Sequence, residues 1–167
     1  MRWIQSVLFF GGRVGVTWSL LLTVPTRSVP FQVLNLGPPP VTKRWTRQPQ
    51  VWVFTSDQAW QQFWGGHRGI DHNGQPPAAP PVDFRRQAVI GLTVGARPTG
   101  GYGLKIDRIE RATGNRGVYW RVHYTESVPG PNCLVTQAIT TPTVFIAVQP
   151  PVPQVQLRGR TVTISCR

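Results

Sequence analysis

The few side chains able to attack a carbonyl or move a proton set the first question. Cys133 with His123, or Ser127 with His123 and Asp107, contain the residue types of a nucleophile, a base and an orienting carboxylate. Their surroundings lack the context this chemistry needs. No nucleophile elbow, no HExxH helix and no caspase- or papain-like setting accompanies them, and His123 falls on the polar phase of an alternating stretch. A non-enzymatic protein is the expectation. His67, Asp71 and His72 come nearest to a metal cluster, but they lie in a Gly-rich polar loop, where side chains are ordinarily solvated. No metal site and no cofactor is expected.

Cys133 and Cys166 are the two cysteines of the chain. Two readings stand open: a pair of buried thiols, or one bridge tying the last strand beside the turn at Pro129, Gly130 and Pro131.

The stretch best suited to recognition is 91–102. The apolar run 90–94 feeds into Gly95, Ala96, Arg97, Pro98, Thr99, Gly100, Gly101 and Tyr102. Gly100 and Gly101 permit positive φ and close backbone approach, Pro98 fixes its own φ, and Tyr102 carries a large amphipathic ring. A stiff loop bearing Arg and Tyr loses little entropy on docking, and both types are enriched in interface hot spots. Arg97 to Tyr102 form the candidate contact loop, with the Pro129 turn beside it. An ordinary hairpin corner is the competing reading.

The chain has 18 Lys+Arg against 6 Asp+Glu, a net charge of +12. Such a balance favours polyanions and acidic protein surfaces. The basic residues are scattered as singles and pairs, with no nucleic-acid motif, which weighs against specific nucleic-acid recognition. An alternative function, binding an envelope glycan or polyanion through exposed Trp and Arg, rests on Trp3, Trp18 and Trp45 among the seven tryptophans.

The elements that must position these residues are mostly strands. At 167 residues, with 17 Gly and 17 Pro, the chain suits one core with many turns. Residues 1–49 are expected to hold a β-hairpin (4–10 and 14–24, turned at Gly11 and Gly12) and a proline-punctuated linker packed on a main domain of 50–167. A signal peptide is the other reading of the amino terminus, and the apolar stretches are too broken for a transmembrane helix. Residues 51–54 form a strand. Ser56 then caps a helix over about 56–64, with Trp60, Phe63 and Trp64 on one face and Gly65 and Gly66 ending it. The strand at 87–94 has the composition of one buried on both faces. Ile106 and Ile109 are out of phase, which predicts a bulge at Asp107 and Arg108. Val118, Trp120, Val122 and Tyr124 form one period-2 face. Strands follow at 133–139 and 143–148, then a hairpin of 155–157 and 161–166 about Arg158, Gly159 and Arg160. Together these predict a mainly β fold, an antiparallel β-sandwich or barrel-like sheet with one short helix.

The ordered set of strand and aromatic helix (52–64), Val82-Asp83-Phe84, the loop 95–102, Thr125-Glu126-Ser127, Pro129-Gly130-Pro131 and the run from Cys133 through Thr136-Gln137 to Pro142 resembles the PrcB C-terminal domain family. These are subunits of a bacterial cell-surface protease complex and their relatives. The resemblance covers residues 50–148. It implies a non-catalytic, extracytoplasmic module that binds a protein partner, with a protease the leading candidate; a cytoplasmic location is the alternative. The loop at Pro98, Thr99, Gly100, Gly101 and Tyr102 is also similar to the Pro-Thr-Thr-Gly-Tyr loop of chagasin-type inhibitors, which plug papain-type proteases from an Ig-like sandwich. This chain has Gly100 where that motif has its second Thr.

Overall fold

A computed structural model describes residues 27–36, 46–67 and 78–166. Over these residues the chain forms β1 (Arg27–Val29), β2 (Phe31–Leu34), β3 (Gln50–Phe54), α1 (Asp57–His67), β4 (Ala88–Thr93), β5 (Gly103–Gly114), β6 (Gly117–Pro129), β7 (Thr143–Val148) and β8 (Gln154–Ile164). Two four-stranded sheets result, ordered β1-β5-β6-β8 and β2-β7-β4-β3. This is the mainly β sandwich with one helix that the sequence predicts, open at its edges rather than closed into a barrel. The amino-terminal hairpin at 4–24 lies outside the described residues. So does most of the loop following the helix, including Asp71 and His72.

Strand β4 organises the packing. All six of its residues are buried. Ala88, Ile90 and Leu92 meet Ile106, Ile109, Trp120, Val122 and Tyr124 of the opposite sheet, with Ile146 and Val148 of β7 beside them. On the other face Val89 joins Phe54, Trp60, Phe63, Trp64 and Phe145, so α1 covers the second sheet with its aromatic stripe. Gly91 makes this possible: a Cβ there would lie 2.7 Å from Phe145 Cε1 and 3.1 Å from Trp52 Cε3. Burial on both faces explains why β4 is continuously apolar.

Ser56 caps α1 as expected, its Oγ accepting from Ala59 N at 3.4 Å. Trp60 Nε1 donates to Pro80 O at 2.9 Å, which anchors the return of the chain toward β4. The helix runs through Gly65 and Gly66 to His67 instead of stopping at residue 64. A Cβ at either glycine would meet no described atom within 4 Å.

Pro30 separates β1 from β2, and the two strands lie in different sheets. The chain therefore passes from one layer to the other at Pro30, with β1 on β5 and β2 on β7. The bulge falls where predicted: the β5–β6 register shifts between Ile106 and Arg108, which turns Ile106 and Ile109 to the same buried side.

Two expected elements are corrected. Residues 133–139 form no strand; Leu134 is fully exposed, and Cys133 is tied to the end of β8 by a disulfide, so this segment runs beside the 95–102 loop instead of joining a sheet. Residues 155–166 are no hairpin. Strand β8 passes straight through Arg158, Gly159 and Arg160, paired in parallel with β6. Parallel pairing is compatible with the connectivity, because β7, between them in the chain, belongs to the other sheet, so β6 and β8 are not joined by a tight turn. Gly159 is outside the positive-φ glycines; its missing side chain makes room for Tyr124, whose Cζ would lie 2.3 Å from a Cβ.

Candidate functional site

The loop following β4 emerges at the end of the sandwich where β5 begins and β6 and β8 finish. Gly95, at φ +87°, starts it under a crossing segment; a Cβ would lie 2.5 Å from Thr46 O, and Ala96 N donates to that same oxygen at 2.6 Å. Thr93 Oγ1 steadies the exit, donating to Pro142 O at 2.9 Å and accepting from Gly95 N at 3.0 Å.

Arg97 does not face outward. Its backbone exchanges two hydrogen bonds with Thr140 (2.8 and 3.0 Å), and its guanidinium reaches back to Glu126 through Nε to Oε1 (2.5 Å) and Nη2 to Oε2 (3.0 Å). The side chains of this pair are only 18% and 12% exposed. The bond to Glu126, set against the opposing effect of burial, raises the Arg97 pKa above its ordinary value. For the Tyr124 hydroxyl burial acts the other way and raises the pKa, with the Glu126 charge adding to it.

Beyond Arg97 the loop is stitched to the segment 135–140. Thr140 Oγ1 donates to Thr99 O at 2.7 Å, and Gly100 N donates to Thr136 O at 2.8 Å. Gly100 is buried, with room for no side chain: a Cβ would sit 2.3 Å from Thr136 Oγ1. Gly101 takes φ +82° and packs under Val135 and Pro129. Pro98 and Gly101 are exposed, while Thr99 and Tyr102 are half-buried.

The neighbouring turn is bound into the same end. Gly130 N donates to Ile164 O at 2.9 Å, Cys133 N donates to Gly130 O at 3.1 Å, and Cys133 is disulfide-bonded to Cys166 across a sequence separation of 33. Of the two readings of the cysteines, the bridge is the one realised. Pro131 and Leu134 project beyond it, and Ile139 is 58% exposed. Arg47, Ala96, Arg97, Pro98 and Ile139 line a cleft of about 800 Å³ at this end.

The residues considered for catalysis go separate ways. His123 Nε2 lies 2.8 Å from Glu110 Oε2, Asp107 accepts from Thr125 Oγ1 at 2.6 Å, and Cys133 is consumed in the disulfide. No cluster of His, Cys, Asp or Glu suited to a metal occurs among the described residues. Trp60, Trp64 and Trp120 are buried, whereas Trp3, Trp18 and Trp45 lie outside the described residues. No helix among the described residues is long and apolar enough to cross a membrane.

Sequence reasoning missed Glu126, Thr136, Thr140, Leu134 and Ile139 as parts of this end. The available signal was the scarcity of acids: with 6 against 18 basic residues, a carboxylate beside the loop becomes an arginine's partner.

Residues 88–149 match the family model described as PrcB C-terminal. The resemblance read from the sequence is thereby shown for this stretch, which runs from β4 through β7 and holds the loop, the Pro129 turn, Glu126 and Cys133. Strand β3, helix α1 and strand β8 lie outside the matched residues, so the Cys133–Cys166 disulfide joins the matched stretch to the residues that follow β8. No curated protein and no solved structure matches the chain.

Proposed function

We propose that this chain is a non-catalytic, extracytoplasmic protein-binding module that associates with a protease through the end of the sandwich formed by 97–102 and 129–139. The observation that carries the reading is a loop braced by backbone hydrogen bonds to Thr136 and Thr140 and displaying apolar groups at its rim. Pro98, Leu134 and Ile139 offer apolar surface beside the cleft, and the loop is ordered before any partner arrives, which lowers the entropic cost of docking. Arg97 serves as a positioning residue, holding the loop to Glu126, while Tyr102 contributes part of its ring. The PrcB C-terminal match supports protein association, and a bridged cysteine pair suits an oxidising compartment.

The test is photo-crosslinking from positions 134 and 139 in the native host. A protease captured from both positions, with capture reduced about tenfold or more in a folded Leu134→Asp, Ile139→Asp variant, is the expected result. Equal capture by that variant removes this end as the contact surface.

A second reading has its own observation. The outer face of the β1-β5-β6-β8 sheet carries Lys105, Arg108, Arg121, Arg158 and Arg160 against Asp107 and Glu110, which supports polyanion binding through charge. Elution from immobilised heparin at lower salt for Arg158→Gln, Arg160→Gln is the expected outcome, and unchanged elution opposes it.

A further inference from the structure

The opposite end of the sandwich holds a feature that neither reading uses. Arg111 lies on the inward phase of β5, two residues after the fully buried Ile109, and pairs in register with Trp120 on one side and Arg27 on the other. Directly opposed residues of an antiparallel pair have Cβ atoms about 4.5–5.5 Å apart, and like charges so placed are destabilising. Two cationic residues thus lie directly opposed on neighbouring strands, and both line the mouth of the gap between the sheets. Neither makes an ion pair with any described residue.

Behind them opens a cleft of about 600 Å³. Val118, Trp120, Pro151 and Val152 supply its apolar wall, Ser28 and Gln149 add neutral polar groups, and among the described residues no carboxylate lines it. A volume of this size, apolar walls and a few convergent polar groups are the general features of a small-molecule site. Guanidinium forks match the two oxygens of a carboxylate or phosphate.

We infer that the cleft between Arg27, Arg111 and Trp120 binds an amphiphilic organic anion, its carboxylate or phosphate head between the two arginines and its apolar body against Trp120 and Val118. Binding supplies the negative charge that the sequence omits at this cross-strand pair. The head group is held by charge-assisted hydrogen bonds at the rim, where both arginines are exposed, and the body displaces water from the inner wall.

Titration of the full chain by calorimetry and two-dimensional NMR tests this with four probes: naphthalene-2-carboxylate, hexyl phosphate, neutral 2-naphthalenemethanol and inorganic phosphate. Saturable binding of either amphiphilic anion, with resonance shifts at Val118, the Trp120 indole and Val152, is expected. The neutral alcohol and inorganic phosphate should each bind about tenfold or more weakly, for want of the head and the body respectively. Comparison of the first two probes tells which head is preferred. Arg27→Gln and Arg111→Gln should each weaken binding about tenfold, while Arg85→Gln, at an exposed arginine that does not line the cleft, should leave it unchanged. R111E should abolish binding of the anions and raise Tm, because it turns an opposed like-charge pair into an attractive one. The inference is overturned if neither amphiphilic anion binds saturably, if the alcohol binds as well as the carboxylate, if inorganic phosphate binds as well as hexyl phosphate, or if R111E retains full affinity.

Discussion

Replacing Gly159 with alanine separates a turn glycine from one required by packing. At an exposed hairpin corner the substitution would cost little at negative φ, and the loss of unfolded-chain freedom would stabilise the protein by about 0.5–1 kcal/mol. In the observed parallel pair the new methyl would lie 2.3, 2.4 and 2.7 Å from Cζ, Oη and Cε2 of Tyr124. Ordinary carbon contacts are about 3.5–4.0 Å, so the ring or strand β8 must move by on the order of 1 Å. Tyr124 is 8% exposed and packed among Ile106, Ile109 and Val122, so displacement disturbs the core. Overpacking of this kind costs about 1–3 kcal/mol, about 2 at its midpoint, which set against the entropic gain leaves a central net destabilisation of about 1 kcal/mol. For a chain of this size that corresponds to a fall in Tm of roughly 2–4 °C. Tyr124→Leu will itself destabilise, but it removes the three clashing atoms. In that background Gly159→Ala should become neutral or favourable, giving a coupling of about 1 kcal/mol or more by urea denaturation. A neutral or stabilising Gly159→Ala in the parent, or an equal cost in both backgrounds, would refute both the continuous β8 and its register against β6.

Three other perturbations probe the ties at the loop end and on the outer sheet face. Arg97→Gln removes both bonds to a carboxylate only 12% exposed and should cost about 1–3 kcal/mol, with faster amide exchange at Gly100; adding Glu126→Gln should recover much of that loss, and an unchanged double mutant would discount the pair. Reduction of Cys133–Cys166 should lower stability by about 3–4 kcal/mol from unfolded-chain entropy for a separation of 33, read by denaturation of the Cys133→Ser, Cys166→Ser variant at matched pH. Glu110 is held below its ordinary pKa of 4.5, first by the bond from Arg108 and then by His123. Its stabilising contribution is therefore full above that value and disappears as pH falls through the lower folded-state pKa, so the urea midpoint of the parent should drop more steeply below about pH 4.5 than that of Glu110→Gln, and less so in high salt because Arg108 is exposed.

Patterns confined to a single element were legible from residue order. The Trp60, Phe63 and Trp64 spacing placed α1 against a sheet, the unbroken apolar composition of β4 announced burial on both faces, and the phase slip between Ile106 and Ile109 located the bulge. Each is a consequence of periodicity, which a chain carries locally because its elements have fixed repeats. The candidate loop was legible in the same way, through Gly95, Pro98, Gly100 and Gly101.

Tertiary structure decided what the same residues do when distant segments meet. Arg97, legible as a contact residue, turns inward because Glu126 arrives from β6, 29 positions away. Residues 133–139 alternate like a strand yet form none, because the disulfide to Cys166 and the bonds of Thr136 and Thr140 to the loop fix their course. Gly159 resembles a turn residue but instead accommodates Tyr124, and Arg27 meets Arg111 only once β1 lies on β5. The sequence by itself determined helix α1, the bulged strand β5, the strands β3, β4, β6 and β7 and which of their faces were apolar, since those follow from local sterics and burial. Partners for Arg97, Cys133, Gly159 and Arg111 were set by which strands became neighbours, a property of sheet order that no local repeat encodes.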